Sequence, residues 1–196
     1  MIKERFYGEI PENFLILDRN EAAARLKVAR DYSNELIESC EARLRRSLKC
    51  GYTGVLTDIE YGDDCCMDFG FGPVNSTALY DNLNGAGEAY IFAVTLGYDV
   101  DILIEKLSVI SIAEHFITDA LASAFAESAC DYAEKEIKGT AVCGRRFGPG
   151  YADLSISVQP QILRLISADK RLNIKCNNSY LLSPSKTITA IMGKKQ

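Results

Sequence analysis

The feature that most constrains the fold is the nearly continuous apolar run from Ala89 to Val94. Its aromatic and branched side chains, bounded by Gly85 and Gly97, predict a β-strand, and the run is far shorter than the about 18 residues that span a membrane. A strand with one face in water would alternate apolar and polar side chains. We therefore expect this strand to lie in the interior of a sheet that is covered on both faces.

Helical spacing of apolar residues marks two long segments. Residues 18–20 offer N-caps for one or two helices over residues 21–48, which are rich in Ala, Leu, Glu and Arg. Ser111 and Glu114 have the spacing of a capping box, and the alanine-rich helix that they open should end at Gly139. The small side chains of this second helix let other elements approach closely, which indicates a central core helix.

Shorter strand and helix patterns alternate irregularly along the rest of the chain, and several strands look antiparallel. This favours an α+β fold, with an antiparallel sheet and packed helices, over a doubly wound parallel sheet. We expect one domain over residues 1–196. The predicted strands cover residues 5–10, 52–62, 65–72, 88–97, 172–183 and 187–193. The segment of residues 74–87 predicts a capped helix that ends at Asn84-Gly85, and further helices cover residues 99–113 and 158–171, the last capped by Ser157.

Composition excludes several classes of function. The 196 residues carry a net charge of −5, which argues against a general nucleic-acid binder. The N-terminus lacks an apolar signal segment, so we expect a cytoplasmic protein. The seven cysteines have no metal-ligand spacing, and we expect no metal site.

His115 is the single histidine and stands in an apolar helical pattern, so a packed or surface role is favoured over catalysis. Nucleotide-binding glycine motifs of the Rossmann and P-loop types are absent.

The segment RRFGPGYADL, residues 145–154, combines groups that suit a small zwitterion with an aromatic part. Gly148 and Gly150 permit a tight turn that brings main-chain groups against a ligand. Arg146 offers a planar fork for a carboxylate, and Tyr151 offers a flat ring with a hydroxyl. Physical chemistry alone leaves a second interpretation open, which is an ordinary surface turn beside an arginine.

A polar stripe runs along the predicted alanine-rich helix. Asp119, Ser123 and Glu127 are spaced four apart and therefore share one face. Two interpretations remain open. The stripe is either a face that contacts only water or a polar edge that contacts a cationic or polar ligand.

The segment RRFGPGYADLSISVQPQIL resembles the signature of the activation (reactivation) domain of cobalamin-dependent methionine synthase, in its stand-alone form. In that family an arginine stands four positions before a Gly-Tyr pair in a loop that binds S-adenosylmethionine (AdoMet), and Arg146 with Gly150 and Tyr151 has this spacing. Similarity extends over residues 85–193, including TDALASAFAESACDYAEKEI and LLSPSKTITAIMG.

The resemblance implies a module that supports reductive methylation of inactive cob(II)alamin, with AdoMet as methyl donor and a flavodoxin-like reductant as electron source. Arg146 would bind the AdoMet carboxylate, Gly148 to Gly150 would line the adenosine, Tyr151 would pack beside it, and Glu127 or Asp119 would contact the amino group. No catalytic side chain is implied. The chain lacks a corrinoid-binding motif, so the cobalamin would be carried by a partner, either a methionine synthase or another corrinoid protein.

Three departures from the family pattern support an alternative. Ser123 stands where the synthase has a glutamate that contacts AdoMet, and Ile191-Met192 replaces an aromatic pair. Residues 152–154 also differ from the usual run after Gly-Tyr. The alternative is a non-catalytic partner of a corrinoid protein that has lost AdoMet binding.

Overall fold

The computed structural model describes residues 1–17 and 34–195. Its strands are β1 (Ile2–Glu9), β2 (Gly51–Asp58), β3 (Glu60–Tyr61), β4 (Cys66–Asp68), β5 (Pro73–Asn75), β6 (Glu88–Thr95), β7 (Lys175–Cys176), β8 (Leu182–Ser183) and β9 (Thr187–Lys194). Its α-helices are α1 (Asn34–Ser47), α2 (Thr77–Leu83), α3 (Tyr98–Ile110), α4 (Ile112–Lys138), α5 (Gln159–Leu165) and α6 (Ala168–Leu172). Short 3-10 helices cover Glu12–Phe14 and Ile156–Val158.

Strands β1, β2, β6 and β9 form a four-stranded sheet in the order β1-β2-β6-β9, and each neighbouring pair is antiparallel. The central strand β6 is buried on both faces. Tyr90 and Phe92 belong to the core shared with α1, α3 and α4, whereas Ile91 and Ala93 belong to the core shared with α2, α5 and the small β3-β4-β5 sheet. The predicted two-sided covering of this strand and the α+β class are confirmed.

The alanine-rich helix α4 follows the predicted limits. The Ser111 hydroxyl accepts a hydrogen bond from the Glu114 N–H at 3.4 Å, and the helix ends at Gly139, which has a φ of 49°. The buried face of α4 carries Ala122, Ala126 and Ala129, whose small side chains leave room for α1, α3 and the sheet. The helix therefore forms the layer that covers one face of the sheet.

The predicted capped helix that ends at Asn84-Gly85 is also present, as α2. Ser76 caps it by accepting a hydrogen bond from the Leu79 N–H at 3.0 Å. Asn84 ends it in the left-handed conformation, with a φ of 48°, and Gly85 follows at a φ of 75°. Both signals are local in sequence, which is why the limits of this helix could be predicted.

The single helix predicted over residues 158–171 is wrong, because the chain forms α5 and α6 with a break at Ser167, whose φ is 55°. The reason lies in distant residues. Arg5 donates to the Leu165 carbonyl at 2.9 Å and Thr53 donates to the Ile166 carbonyl at 3.2 Å. Side chains of strands β1 and β2 therefore form hydrogen bonds with the carbonyls at the end of α5. The predicted cap at Ser157 is also wrong, since Ser155 caps the preceding 3-10 turn.

The single strand predicted over residues 172–183 is in fact the small hairpin β7-β8, in which the Asn177 side chain accepts from the Ser179 and Leu181 N–H groups. The predicted caps at residues 18–20, and the predicted helix as far as residue 33, lie outside the described residues. Within the described residues, no helix is long and apolar enough to cross a membrane.

Candidate functional site

The segment around Arg146 runs along the outer edge of β9. Phe147 and Ile191 exchange two backbone hydrogen bonds, at 2.8 and 2.9 Å, and the Gly144 N–H donates to the Gly193 carbonyl at 2.8 Å. Side chains alternate along an extended segment. Phe147 therefore enters the core on the α5 side of the sheet, while Arg146 projects towards α4.

The Gly-Pro-Gly turn lies close against the same strand. A Cβ at Gly148 would lie 3.2 Å from the Thr189 carbonyl oxygen, and Gly150 has a φ of 87°, which favours glycine. The Gly150 N–H donates to the Leu154 carbonyl at 2.8 Å, which closes the turn. The glycines thus allow a tight turn that packs closely against β9.

Asp153 fixes the far end of this loop to the start of α2. Its carboxylate accepts hydrogen bonds from the Ser76 hydroxyl at 2.5 Å, the Thr77 N–H at 2.8 Å and the Ala78 N–H at 3.2 Å. The Ser76 hydrogen bond, followed by the backbone N–H groups, lowers the pKa of Asp153 below its ordinary value. Asp153 therefore has a structural role in holding the loop.

The loop, β9, α2 and α4 surround a concavity of about 580 Å³, which lies within the usual range for a small-molecule site. Five of the predicted site residues line it together. They are Glu127, Arg146, Gly148, Gly150 and Tyr151, and the other lining residues are Asn82, Arg145, Phe147, Pro149, Ile188, Thr189 and Ala190. Tyr151 is 68% exposed, and its ring meets the Phe147 ring edge-on at 5.3 Å between centroids.

The Arg146 guanidinium is held by three carboxylates of α4. Its Nη2 lies 3.0 Å from Glu127, and its Nη1 lies 2.5 Å from Asp131 and 3.0 Å from Glu134. Burial acts to lower the pKa of Arg146, but the adjacent Cys130 sulfur and the hydrogen bonds to Asp131 and Glu134 raise it overall. The arginine therefore stays charged, at the edge of the concavity.

Asp119 is not among the residues that line this concavity. Its carboxylate lies 2.7 Å from the Lys186 ammonium, which also donates to the Ser123 hydroxyl at 2.9 Å. The polar stripe on α4 is therefore divided. Asp119 and Ser123 pair with Lys186 at the start of β9, whereas Glu127 pairs with Arg146.

Several residues of the site were not predicted. Asp131 and Glu134 follow Glu127 at helical spacing, so the sequence did carry a signal for one acidic face. No feature of the sequence indicated Asn82 as a site residue. Its side-chain oxygen is buried and accepts no hydrogen bond from the described part of the chain.

A larger concavity, of about 790 Å³, lies at the opposite edge of the sheet and is lined by Tyr7, Tyr52 and Arg171 among others. It contains none of the predicted site residues. We therefore place the candidate site at the smaller concavity, where charged, aromatic and glycine backbone groups converge.

The fold and the site together define an α+β protein with a helix-covered antiparallel sheet and a Gly-Pro-Gly loop at its edge. Neither a protein-family model nor a curated protein matches the sequence.

Among solved structures, the MetH reactivation domain bound to AdoHcy is similar to this chain. The two share a TM-score of 0.73 and 15% sequence identity, over 97% of this chain and 78% of that domain. The chain therefore has the fold of the MetH reactivation domain, as the sequence resemblance implied.

Proposed function

We propose that this chain binds AdoMet in the concavity beside β9 and supports reductive methylation of cob(II)alamin on a separate corrinoid protein. The observation that carries this proposal is the convergence of Arg146, Glu127 and the Gly148–Tyr151 turn on one concavity, in the fold of a domain solved with AdoHcy. The partner is a corrinoid-dependent methionine synthase or a related corrinoid protein, and a flavodoxin-like protein is the electron donor. We further propose that residues 1–196 act as one domain in the cytoplasm.

The residues present suit this ligand. Arg146 offers the fork for the carboxylate, and Glu127 offers an anionic oxygen for the amino group. Gly148 and the turn that follows bring backbone close to the Thr189 carbonyl, so a flat adenosine has polar main-chain groups along its edge. Tyr151 supplies an exposed ring beside Phe147. We assign the amino group to Glu127 rather than to Asp119, because Asp119 pairs with Lys186.

When bound, AdoMet supplies an electrophilic methyl group on a cationic sulfur, and reduced cobalt on the partner is the acceptor. The residues of this chain therefore need only hold and orient the donor. Neither a nucleophilic side chain nor a general acid is required.

The test is isothermal titration calorimetry with AdoMet and with AdoHcy. Arg146→Ala removes a charge-assisted contact, which should cost about 1.5–3 kcal/mol, or an increase of about 10- to 150-fold in Kd. Arg46→Ala is the matched control, because Arg46 is exposed on α1 and does not line the concavity. Equal binding by wild type and Arg146→Ala would remove Arg146 from the site.

Function is tested by mixing the chain with an inactivated cob(II)alamin-containing synthase, AdoMet and a reductant. The cobalt absorption spectrum should change to that of the methylated form with wild type, and more slowly with Arg146→Ala. No acceleration over a mixture without this chain would contradict the proposal.

A second function is favoured by one observation, which is that Arg146 is already paired with three carboxylates. In this alternative the chain is a non-catalytic partner of a corrinoid protein and no longer binds AdoMet. It predicts no calorimetric signal at millimolar AdoMet, while the corrinoid protein still co-elutes with the chain in gel filtration.

A further inference from the structure

The larger concavity, of about 790 Å³, lies at the β1 edge of the sheet, where β1 ends and β2 begins. Its volume is within the usual range for a small-molecule site. Most of its walls are apolar, and they include Tyr7, Ile10, Leu48, Cys50, Tyr52 and Leu172. Burial raises the pKa of the Cys50 thiol to about 12, so this side chain is uncharged at neutral pH. The concavity therefore offers an apolar space that the function proposed above does not use.

Two cations stand beside this apolar space. Lys170 and Arg171, in the last turn of α6, line the concavity, and both also line an adjoining concavity of about 280 Å³ to which Arg5 contributes. Across the part of the chain that the structure describes, neither Lys170 nor Arg171 forms an ion pair. Glu9 lines the larger concavity but is paired with neither of them. In a chain of net charge −5, this positive charge without a carboxylate partner favours an anionic ligand.

Arg171 is oriented by an aromatic ring. Its guanidinium carbon lies 4.0 Å from the centroid of the Tyr7 ring, in a cation–π contact. Within residues 1–17 and 34–195, the Arg171 side chain donates no hydrogen bond. A guanidinium carries five N–H donors in a rigid plane that matches carboxylate and phosphate oxygens. The ring contact therefore holds Arg171 in place while its donors remain available to a ligand.

From this arrangement we infer that the larger concavity is a second binding site, which takes a phosphate monoester with an apolar or aromatic body. The phosphate binds between Lys170 and Arg171, because a dianion suits two cations and the guanidinium can bind it with two N–H groups. The body of the ligand lies against the Tyr52 ring. Lys49 also lines the concavity, but its ammonium already pairs with Asp99 at 2.8 Å.

This site is separate from the one beside β9. Among the described residues, the two concavities have no lining residue in common, and they lie at opposite edges of the sheet. The inference therefore does not depend on AdoMet binding, and its failure would leave the proposed function standing.

Isothermal titration calorimetry on the full chain tests the inference with 1-naphthyl phosphate, 1-naphthol and inorganic phosphate. The ester should bind at least about tenfold more tightly than either of the other two compounds, because it alone has both the charge and the apolar body. Its Kd should rise as salt is added. Arg171→Gln should raise the Kd about tenfold or more, and Lys170→Gln should also raise it. Both residues are exposed, so these variants should fold as the wild type does.

Two control variants make the result specific to this concavity. Lys106→Gln removes the same charge from an exposed position on α3 that lines neither concavity, and it should leave the Kd unchanged. Arg146→Ala should also leave it unchanged, and an equal loss in Arg146→Ala would place the ester beside β9 and overturn the inference. Equal binding of the ester by wild type and Arg171→Gln, equal binding of the ester and 1-naphthol, or no binding of the ester at millimolar concentration would each overturn it as well.

Discussion

Phe147 is the residue whose removal should most directly detach the candidate site from the sheet. It is 7% exposed, it packs in the core with Leu154 and Ile191, and its backbone forms two hydrogen bonds to β9. Arg146 and Gly148 flank it, so their positions depend on its anchorage. We expect Phe147→Ala to destabilise the whole protein and to weaken ligand binding at the same time.

The magnitude follows from the buried ring. A buried phenylalanine removes about 200 Å² from water, which at about 25 cal/mol per Å² is worth about 5 kcal/mol as an upper bound. Measured Phe→Ala changes in protein cores cost about 3–5 kcal/mol, and we expect a value in that range. For a chain of this length the melting temperature should fall by roughly 6–20 °C.

Urea denaturation followed by circular dichroism measures this change in the free energy of unfolding. The midpoint should shift while the slope stays constant, because the same surface is exposed on unfolding. Phe116→Ala is the control, since Phe116 is 55% exposed on α4 and its loss should change stability by less than about 1 kcal/mol. A loss below about 1 kcal/mol for Phe147→Ala would refute the proposed anchorage of the loop.

Two further predictions concern stability. Because the folded-state pKa of Asp153 lies below the ordinary value of 3.8, its stabilisation is complete above that pH and is lost as the pH falls through the lowered value. Asp153→Asn should therefore lower the melting temperature at pH 7 and have less effect near pH 2; an equal effect at both pH values would argue against an ionised cap. Gly54→Ala should destabilise by about 1–3 kcal/mol or more, since the new Cβ would lie 2.4 Å from the Phe6 ring and 2.6 Å from the Ile91 carbonyl oxygen. Gly62→Ala, whose nearest contact is 3.4 Å, is the control in urea denaturation, and equal losses in the two variants would contradict this reasoning.

The ends of a helix were predictable where the capping residue lies within a few residues of the helix end that it caps. Ser111 and Gly139 bound α4, and Ser76 begins α2, because a cap acts on backbone groups in its own turn. The break at Ser167 was not predictable in this way. It depends on Arg5 and Thr53, which come from strands more than one hundred residues earlier in the chain.

The candidate site likewise combines features that are local in sequence with contacts that only the folded chain brings together. The spacing of Arg146 to Gly150 and Tyr151 is local, and by itself it indicates a turn with a cation beside it. The partners of Arg146 come from α4, and only the pairing of the loop with β9 brings them within reach. Asp119 and Glu127 share a helix face in sequence, yet they contact different cations, because Lys186 and Arg146 approach α4 from different points along the sheet edge.

Residue types and their spacing thus account for the buried central strand, the capped helices and the glycine turn, since each of these depends on neighbouring backbone groups. The tertiary structure decided where the arginine points, which carboxylates surround it and which helix is broken. Hydrogen bonds and ion pairs act over about 3 Å in space whatever the distance along the chain, so only the folded arrangement specifies them.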